Sequence, residues 1–235
     1  MRGGLNRVRE VKVLVRFEIL LLKKNLLYNI LVFLITFLIP MFLYLSTGTK
    51  DKEMWVFLLH GQLFFCILAM PILYSFLYDD DKQAMIYSTI IPKLHSNYLY
   101  LVCKVCVLWG IIFLSQSSCL ILILGGHVLF YGVNFFDLIL PLIYTSFTTI
   151  GISVQIAALL SLLLKKQVYV NIFNIIFLVI GMSVNSPAFS IWFNPDWITS
   201  HFFDSSFFVG RTFILCIALI LMYFSNRLWK ARGRL

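Results

Sequence analysis

The sequence predicts an all-α integral membrane protein with six transmembrane helices. Of its 235 residues, 61% are hydrophobic and only 12% are charged, whereas a soluble domain is about 45–50% apolar and about 25% charged. Several apolar runs exceed the roughly 18–20 residues that cross the ~30 Å hydrocarbon core of a bilayer. Segments of about ten residues with alternating polarity, which would indicate a β-barrel, are absent. The composition therefore leaves almost no chain for a soluble domain.

Hydropathy places the six spans at residues 26–45, 55–77, 99–124, 138–164, 168–184 and 208–224. A span in lipid must satisfy its own backbone hydrogen bonds, and this requirement favours helices. The expected organisation is an amphipathic helix over residues 1–25, followed by a six-helix transmembrane domain over residues 26–235.

The N-terminal segment has an amphipathic pattern. Apolar residues recur at steps of three and four: Leu5, Val8, Val11, Val15, Ile19 and Leu22. Arg9, Lys12 and Arg16 mark another face. Such a helix is expected to lie in the membrane interface with its apolar face towards the lipid. A cytoplasmic extension of the first span is the alternative.

Basic residues predict the orientation of the spans. With six spans, only Lys50, Lys52 and Arg211 of the 19 lysines and arginines fall on the side opposite the N terminus. The positive-inside rule then places both termini in the cytoplasm, with the chain in a plasma membrane. The net charge of +9 follows from this asymmetry. Its expected partners are anionic lipid headgroups rather than nucleic acid.

The loop over residues 79–98 has its own start and stop signals. It reads DDDKQAMIYSTIIPKLHSNY, and its aspartates would favour the positive N-terminal end of a short helix. Pro92 disfavours helix at the residue before it. Loop chemistry alone leaves two interpretations open, a short helix at the membrane face and a solvated turn.

The segment over residues 185–207 is too apolar for a free loop and too interrupted for a span. It contains Pro187 and Pro195 and is rich in aromatic residues. Tryptophan favours the membrane interface, and irregular backbone at membrane depth must be covered by protein or face a cavity. The segment therefore predicts interfacial or re-entrant helices. Candidates for an outer gate are Trp192, Pro195 and Trp197.

Taken in this order, the elements resemble the membrane subunit of an ABC transporter of the type-2 exporter class. That family has a coupling loop after span 2, which opens with charged residues, continues with an apolar turn, and ends with a proline and a serine. The matching residues here are Asp80, Asp81, Lys82, Met85, Ile86, Ile90, Pro92 and Ser96. The chain departs from the family pattern at Gln83-Ala84, where Gly-Thr is usual, and at Ile91, where threonine is usual. Lys104 lies where a lysine often enters span 3.

The resemblance implies a mechanism and partners. Two permease subunits, which are identical copies or sister chains, would pair, and each would contact a cytoplasmic ATPase through its coupling helix. Asp80, Asp81, Lys82 and Gln83 would belong to this contact. The chain has no G-x-x-x-x-G-K-[ST] phosphate loop, so ATP and Mg²⁺ would bind the partner ATPase and this chain would need no cofactor. Small permeases of this kind, typical of bacterial membranes, resemble those of peptide export and bacteriocin self-immunity systems, which implies an amphipathic or antimicrobial peptide as cargo.

Polar residues within the spans are candidates for the substrate pathway. In the family, spans 1, 2 and 5 tend to line this pathway, which implies a set of six residues: Phe37, Tyr44, His60, Gln62, Asn171 and Asn174. Hydrogen bonding between helices is the competing explanation for each polar member. The near absence of charge from the span centres disfavours a proton or metal-ion pathway. Gly125-Gly126 and Gly151 are expected to allow close helix approach or bending, and close packing is the simpler explanation.

Other functions stay open. A stand-alone immunity or binding protein would need no ATPase, and export of lipid, drug or sodium would use the same kind of complex. The sequence lacks H-E-x-x-H and G-x-S-x-G motifs, so an enzyme is disfavoured. Cys103 and Cys106 form a C-x-x-C, but small apolar packing residues are the simpler explanation for them. His127 and His201 are expected outside the spans.

Overall fold

In a computed structural model, residues 2–47, 52–83, 97–131, 139–164, 166–183 and 205–232 are described. Seven helices make up this part of the chain, and it contains no strand. We number them α1 (Arg2–Lys24), α2 (Leu26–Ser46), α3 (Lys52–Gln83), α4 (Asn97–Tyr131), α5 (Ile139–Leu163), α6 (Gln167–Ser183) and α7 (Ser205–Arg232).

Five of these helices contain a segment long and apolar enough to cross a membrane. The segments are Leu26–Ser46, Phe57–Phe76, Leu99–Phe130, Ile139–Leu163 and Phe207–Trp229. They correspond to five of the six predicted spans and support an α-helical membrane protein. The predicted span over residues 168–184 forms α6, whose 17 residues are about 26 Å long, somewhat less than the ~30 Å hydrocarbon core.

Three helices continue for more than one residue beyond the C-terminal ends of their predicted spans. Helix α3 extends past Leu77 to Gln83, so the polar residues 79–83 belong to the helix rather than to a separate loop. Helix α4 extends past Leu124 to Tyr131, and α7 extends past Phe224 to Arg232. In α3 and α7 backbone hydrogen bonding continues into polar residues, whereas in α4 the apolar segment itself reaches Phe130.

Helix α5 lies at the centre of the bundle. It packs against α3, α4, α6 and α7, and 78% of its apolar segment is buried, compared with 28% for α2 and 22% for α7. Several of its hydroxyl groups donate to carbonyl oxygens one turn earlier, as Thr145 does to Pro141 at 2.8 Å and Ser153 to Thr149 at 2.7 Å. These hydroxyl groups can therefore lie in the interior with their donors satisfied.

Glycine allows close packing at one of the two positions that the sequence suggested. A Cβ atom at Gly151 would lie 2.6 Å from the Trp109 ring, so the expected close approach is confirmed there. A Cβ atom at Gly125 or Gly126 would have no atom within 4 Å. The expectation of close approach was wrong for that pair, because the glycines lie beside open space.

Helix α1 packs along α4. Leu14, Glu18 and Leu22 form its buried stripe, so Leu22, which the apolar pattern assigned to the lipid face, packs inside the bundle, whereas Ile19 of the same pattern is exposed. Glu18 Oε1 lies 3.8 Å from Lys104 Nζ, and both side chains are buried. The helix is therefore attached to the bundle by an ion pair as well as by apolar contacts.

Two clusters of buried apolar residues mark the two ends of the bundle. The N-terminal cluster joins α1 to the start of α4 and the ends of α5 and α7: Leu14, Tyr100, Leu101, Cys103, Leu162 and Trp229. The distal cluster lies at the other end: Met54, Trp55, Leu58, Leu59, Leu63, Cys119, Leu120, Ile123, Leu124, Leu142 and Phe207.

Candidate functional site

A cavity of about 530 Å³ opens between α2 and α4 beside the distal cluster. Its lining is almost entirely apolar, and the residues are Phe37, Met41, Tyr44, Leu45, Cys119, Leu122, Ile123, Gly126 and Phe130. Phe37 and Tyr44 are two of the six residues that the sequence assigned to the substrate pathway. The size and lining of this cavity suit an apolar group rather than an ion or a sugar.

An aromatic group stands beside the cavity. The Tyr44 hydroxyl lies 3.1 Å from His127 Nδ1, and the His127 ring meets the Trp55 ring edge-on with centroids 5.5 Å apart. His127 was expected outside the spans, but it is a completely buried residue of α4. The prediction was wrong because α4 and its apolar segment continue beyond Leu124, where the predicted span ended. The hydrogen bond holds Tyr44 at the cavity wall.

The cavity-lining part of α2 is not a regular α-helix. Residues Leu34–Leu38 form a π-helical turn, and Pro40 follows it. Pro40 has no N–H to donate to the Thr36 carbonyl four residues earlier. Gln62 Nε2 of α3 instead lies 3.4 Å from that carbonyl oxygen. An irregular turn of this kind is tolerated within a membrane when a neighbouring helix supplies the missing donor.

The same arrangement occurs in α3. Pro71 lies inside the helix and has no N–H for the Ile67 carbonyl. Asn174 Nδ2 of α6 donates to the Ile67 carbonyl oxygen at 2.8 Å. Gln167 Nε2, also of α6, donates to the Pro71 carbonyl oxygen at 2.7 Å. Helix α6 is therefore fixed to the proline-containing turn of α3.

Four of the six predicted pathway residues fall into two groups. Phe37 and Tyr44 line the cavity, whereas the amides of Gln62 and Asn174 bind carbonyl groups four residues before prolines. Asn171 accepts a hydrogen bond from Gln167 of the same helix at 3.3 Å. His60 is half-buried on α3 and, like Gln62, is absent from the cavity lining. Gln62 and Asn174 thus form hydrogen bonds between helices, and the pathway role of the six residues stays a prediction.

Most of the predicted coupling and gate residues lie outside the described part of the chain. Asp80, Asp81, Lys82 and Gln83 form the last turn of α3. The others are beyond the described residues: Met85, Ile86, Ile90, Pro92 and Ser96 of the coupling loop, and Trp192, Pro195 and Trp197 of the gate. Their roles stay predictions from the resemblance.

One charged residue in the bundle was missed as a site. Arg211, assigned to the side opposite the N terminus by the span count, is a completely buried residue of α7. Its Nη1 donates to the Thr149 hydroxyl of α5 at 2.9 Å, and its guanidinium lies 5.4 Å from the centre of the Phe207 ring. A basic residue only a few positions into an apolar run is a signal that the sequence contained, since α7 begins at Ser205.

Among the described residues, no group of three histidine, cysteine or acidic side chains is placed to hold a metal ion. The five cysteines, Cys103 and Cys106 included, are free thiols in the structure. The described residues therefore offer two features to a ligand. One is the apolar cavity, and the other is the positively charged guanidinium of Arg211.

Comparisons with models of known families, with curated proteins and with solved structures each found no match. The resemblance to an exporter permease therefore depends on the loop residues and on the order of the elements. What the site can bind has to be argued from its own geometry.

Proposed function

We propose that the chain is the membrane-spanning permease subunit of an ATP-driven exporter. In this proposal it moves an amphipathic substrate, a peptide or antimicrobial peptide, out of the cytoplasm or the membrane. A separate cytoplasmic ATPase, present in two copies, supplies the energy, and a second permease chain completes the complex.

The apolar cavity between α2 and α4 is the observation that carries this proposal. It has room for a bulky apolar side chain or part of an acyl chain, and the tyrosine at its wall offers one polar contact. An exporter for amphipathic molecules needs such a site within the membrane, because the free energy of the apolar part of the cargo falls when it leaves water. A pathway for ions would instead need a polar or charged lining.

Two features of the helices agree with the same proposal. Helix α3 ends in residues 79–83, which include Asp80, Asp81, Lys82 and Gln83 of the predicted coupling set. Helix α1 packs on α4 through a buried ion pair, so a displacement at one end of the bundle would be transmitted through packed helices rather than through a free loop.

A stand-alone immunity or binding protein is the second candidate. The same cavity would hold an apolar part of a toxin without any transport, and the coupling segment would then be dispensable. Export of lipid, drug or sodium by a similar complex differs from the proposal only in cargo. The presence and stimulation of a partner ATPase separate these candidates.

The deciding experiment isolates the tagged chain from its native membrane in a mild detergent. We expect an ATPase subunit with a phosphate loop to copurify in stoichiometric amount, and its turnover to rise when amphipathic peptides are added. Recovery of the folded chain without an ATPase, under conditions that keep known transporters intact, would contradict the proposal and favour the immunity function.

A variant of the coupling segment tests the mechanism within that complex. Replacing Met85, Ile86 and Ile90 by aspartate should abolish peptide stimulation while membrane insertion is retained, because the proposed contact with the ATPase is apolar. The matched control replaces the same three residues by leucine and should keep stimulation. Normal stimulation in the aspartate variant would exclude this segment as the coupling element.

A further inference from the structure

The bundle contains two buried cations and neutralises them very differently. Lys104 has a carboxylate oxygen of Glu18 at 3.8 Å and the Tyr100 hydroxyl at 3.2 Å. Arg211 is equally buried, within the apolar segment Phe207–Trp229. In the part of the chain that the structure describes, no carboxylate lies within ion-pair distance of Arg211.

The guanidinium of Arg211 is only partly hydrogen-bonded. Nη1 donates to the Thr149 hydroxyl at 2.9 Å, but Nε and Nη2 are buried and have no hydrogen-bond partner among the described residues. An uncompensated buried charge is strongly destabilising, and an ionisable residue at membrane depth usually pairs with another charge or with backbone carbonyl groups. An arginine at this position therefore indicates an anion that is absent from the described residues.

The two nitrogens without a described partner, Nε and Nη2, form the edge of the guanidinium that binds oxyanions best. Nε and Nη2 lie on one edge of the planar guanidinium, and their N–H bonds point in nearly the same direction. This edge grips a carboxylate or phosphate group through two parallel hydrogen bonds. Thr149 occupies the nitrogen on the other side and so fixes the plane in which the open edge lies.

The guanidinium and the apolar cavity both border the distal cluster. The Arg211 guanidinium lies over the Phe207 ring, and Phe207 belongs to the distal cluster together with Cys119 and Ile123, which also line the cavity. A cationic group and an apolar site thus lie beside one apolar cluster.

We propose that Arg211 and Thr149 form an oxyanion-binding site for the head group of an amphipathic ligand. The phosphate or carboxylate of that ligand would bind the Nε and Nη2 edge, and its apolar part would pack on the distal cluster. This inference rests on the proposed function only in taking an amphipathic cargo as the natural ligand. Binding itself requires no ATPase.

The test uses the purified full-length chain in a neutral maltoside detergent. Calorimetric titrations with dodecyl phosphate, dodecanoate and dodecanol compare ligands that share one alkyl chain and differ in the head group. We expect at least one anionic ligand to bind on the order of tenfold or more tightly than dodecanol, since charge-assisted hydrogen bonds are the strong ones. The two anionic ligands distinguish a phosphate site from a carboxylate site.

Variants of two arginines of α7, each lying over an aromatic ring, show which residue causes the preference for anionic ligands. Arg211→Gln should remove it, whereas Arg211→Lys should keep part of it. Arg227→Gln is the matched control, because Arg227 is exposed on the same helix, with its Nε bonded to the Tyr223 hydroxyl at 2.9 Å. This control should bind the anionic ligands as the unmodified chain does.

Two results would overturn the site. One is an unmodified chain that binds dodecyl phosphate and dodecanoate no better than dodecanol, which would mean that the counter-charge is already present in the chain. The other is a folded Arg211→Gln chain that keeps the anionic preference. If that variant fails to fold, Thr149→Val, which should weaken anion binding, and the head-group comparison on the unmodified chain decide the question. Anion binding without a copurifying ATPase would contradict the export function but leave this site standing.

Discussion

At the scale of single residues, Gly126 controls how much room the cavity offers. It lines the cavity, and a Cβ atom built on it meets nothing within 4 Å. A larger side chain at this position can therefore enter the cavity without displacing the helix. Its neighbour Gly125 is equally unobstructed but is absent from the cavity lining, so the pair separates occupation of the cavity from a general effect on α4.

We expect Gly126→Phe to weaken the binding of a neutral apolar ligand by roughly tenfold, since about 60 Å² of lost apolar contact is worth about 1.5 kcal/mol. The measurement is calorimetric titration of decanol into the purified chain. Gly125→Phe should bind decanol as the unmodified chain does. Equal affinities in all three chains would show that decanol does not use the cavity.

Asn174 links a residue-scale defect to the stability of two helices. Pro71 leaves the Ile67 carbonyl without its usual donor, and the Asn174 amide of α6 supplies one at 2.8 Å. We expect Asn174→Leu to lower the free energy of unfolding in mixed micelles by about 1 kcal/mol, the usual size of a hydrogen bond between membrane helices.

A double-mutant cycle distinguishes this role from mere packing. With Pro71→Ala, the backbone N–H of residue 71 can bond the Ile67 carbonyl, so the further change Asn174→Leu should cost clearly less than it does alone. An unchanged cost in the Pro71→Ala background would mean that Asn174 acts through packing instead.

For each of these hydrogen bonds, the sequence allows the acceptor to be predicted but not the donor. The rule that proline lacks an N–H identifies the carbonyl groups of Thr36 and Ile67 as the ones left without a donor. The identity of the donor depends on which face of another helix packs there, and that information is not local. Gln62 and Asn174 were therefore predicted as pathway residues, although both bond these carbonyls.

At the scale of elements, the attachment of α1 to α4 depends on a charge pair. Glu18 and Lys104 are both buried, with Oε1 and Nζ 3.8 Å apart. Removing one member leaves the other charge uncompensated, which costs about 3–5 kcal/mol in buried pairs. Replacing both by apolar residues removes the two desolvation costs together and can be nearly neutral.

We therefore expect Glu18→Leu and Lys104→Met each to lower the melting temperature in detergent, and the double variant to recover most of the loss. The control is Lys12→Met, an exposed lysine of the same helix, which should melt as the unmodified chain does. If the double variant were no more stable than the worse single variant, the loss in the single variants would not come from an uncompensated buried charge.

The boundaries of the elements were predictable to different degrees. Five spans were placed correctly because the thickness of the hydrocarbon layer sets the length of an apolar run. Helix α4 was expected to end before His127, but buried partners such as Tyr44 stabilise two further turns of it. The burial of Arg211 was not predicted for a related reason, since burial by α5 is a property of the packed bundle and not of the α7 sequence.

At the scale of the whole molecule, the direction of α6 bears on the number of spans. Gln167 contacts Pro71, Asn174 contacts Ile67, and Leu178 packs in the cluster of Ile67 and Phe64. Residue numbers rise along α6 while those of its partners on α3 fall, so the two helices run antiparallel. These partners lie within the apolar segment Phe57–Phe76 of α3, which places α6 at the same depth.

We therefore predict that α6 crosses the membrane despite its length, with local thinning of the bilayer or its flanking residues covering the few missing ångströms. Six spans place the two termini on the same side, whereas five place them on opposite sides. Reporters that are active only in the cytoplasm, fused before Met1 in one chain and after Leu235 in another, should both be active. A fusion within residues 132–138, between α4 and α5, is the control and should be inactive. An inactive reporter after Leu235, with an active one before Met1, would mean that the chain crosses the membrane an odd number of times and that α6 lies against α3 without spanning.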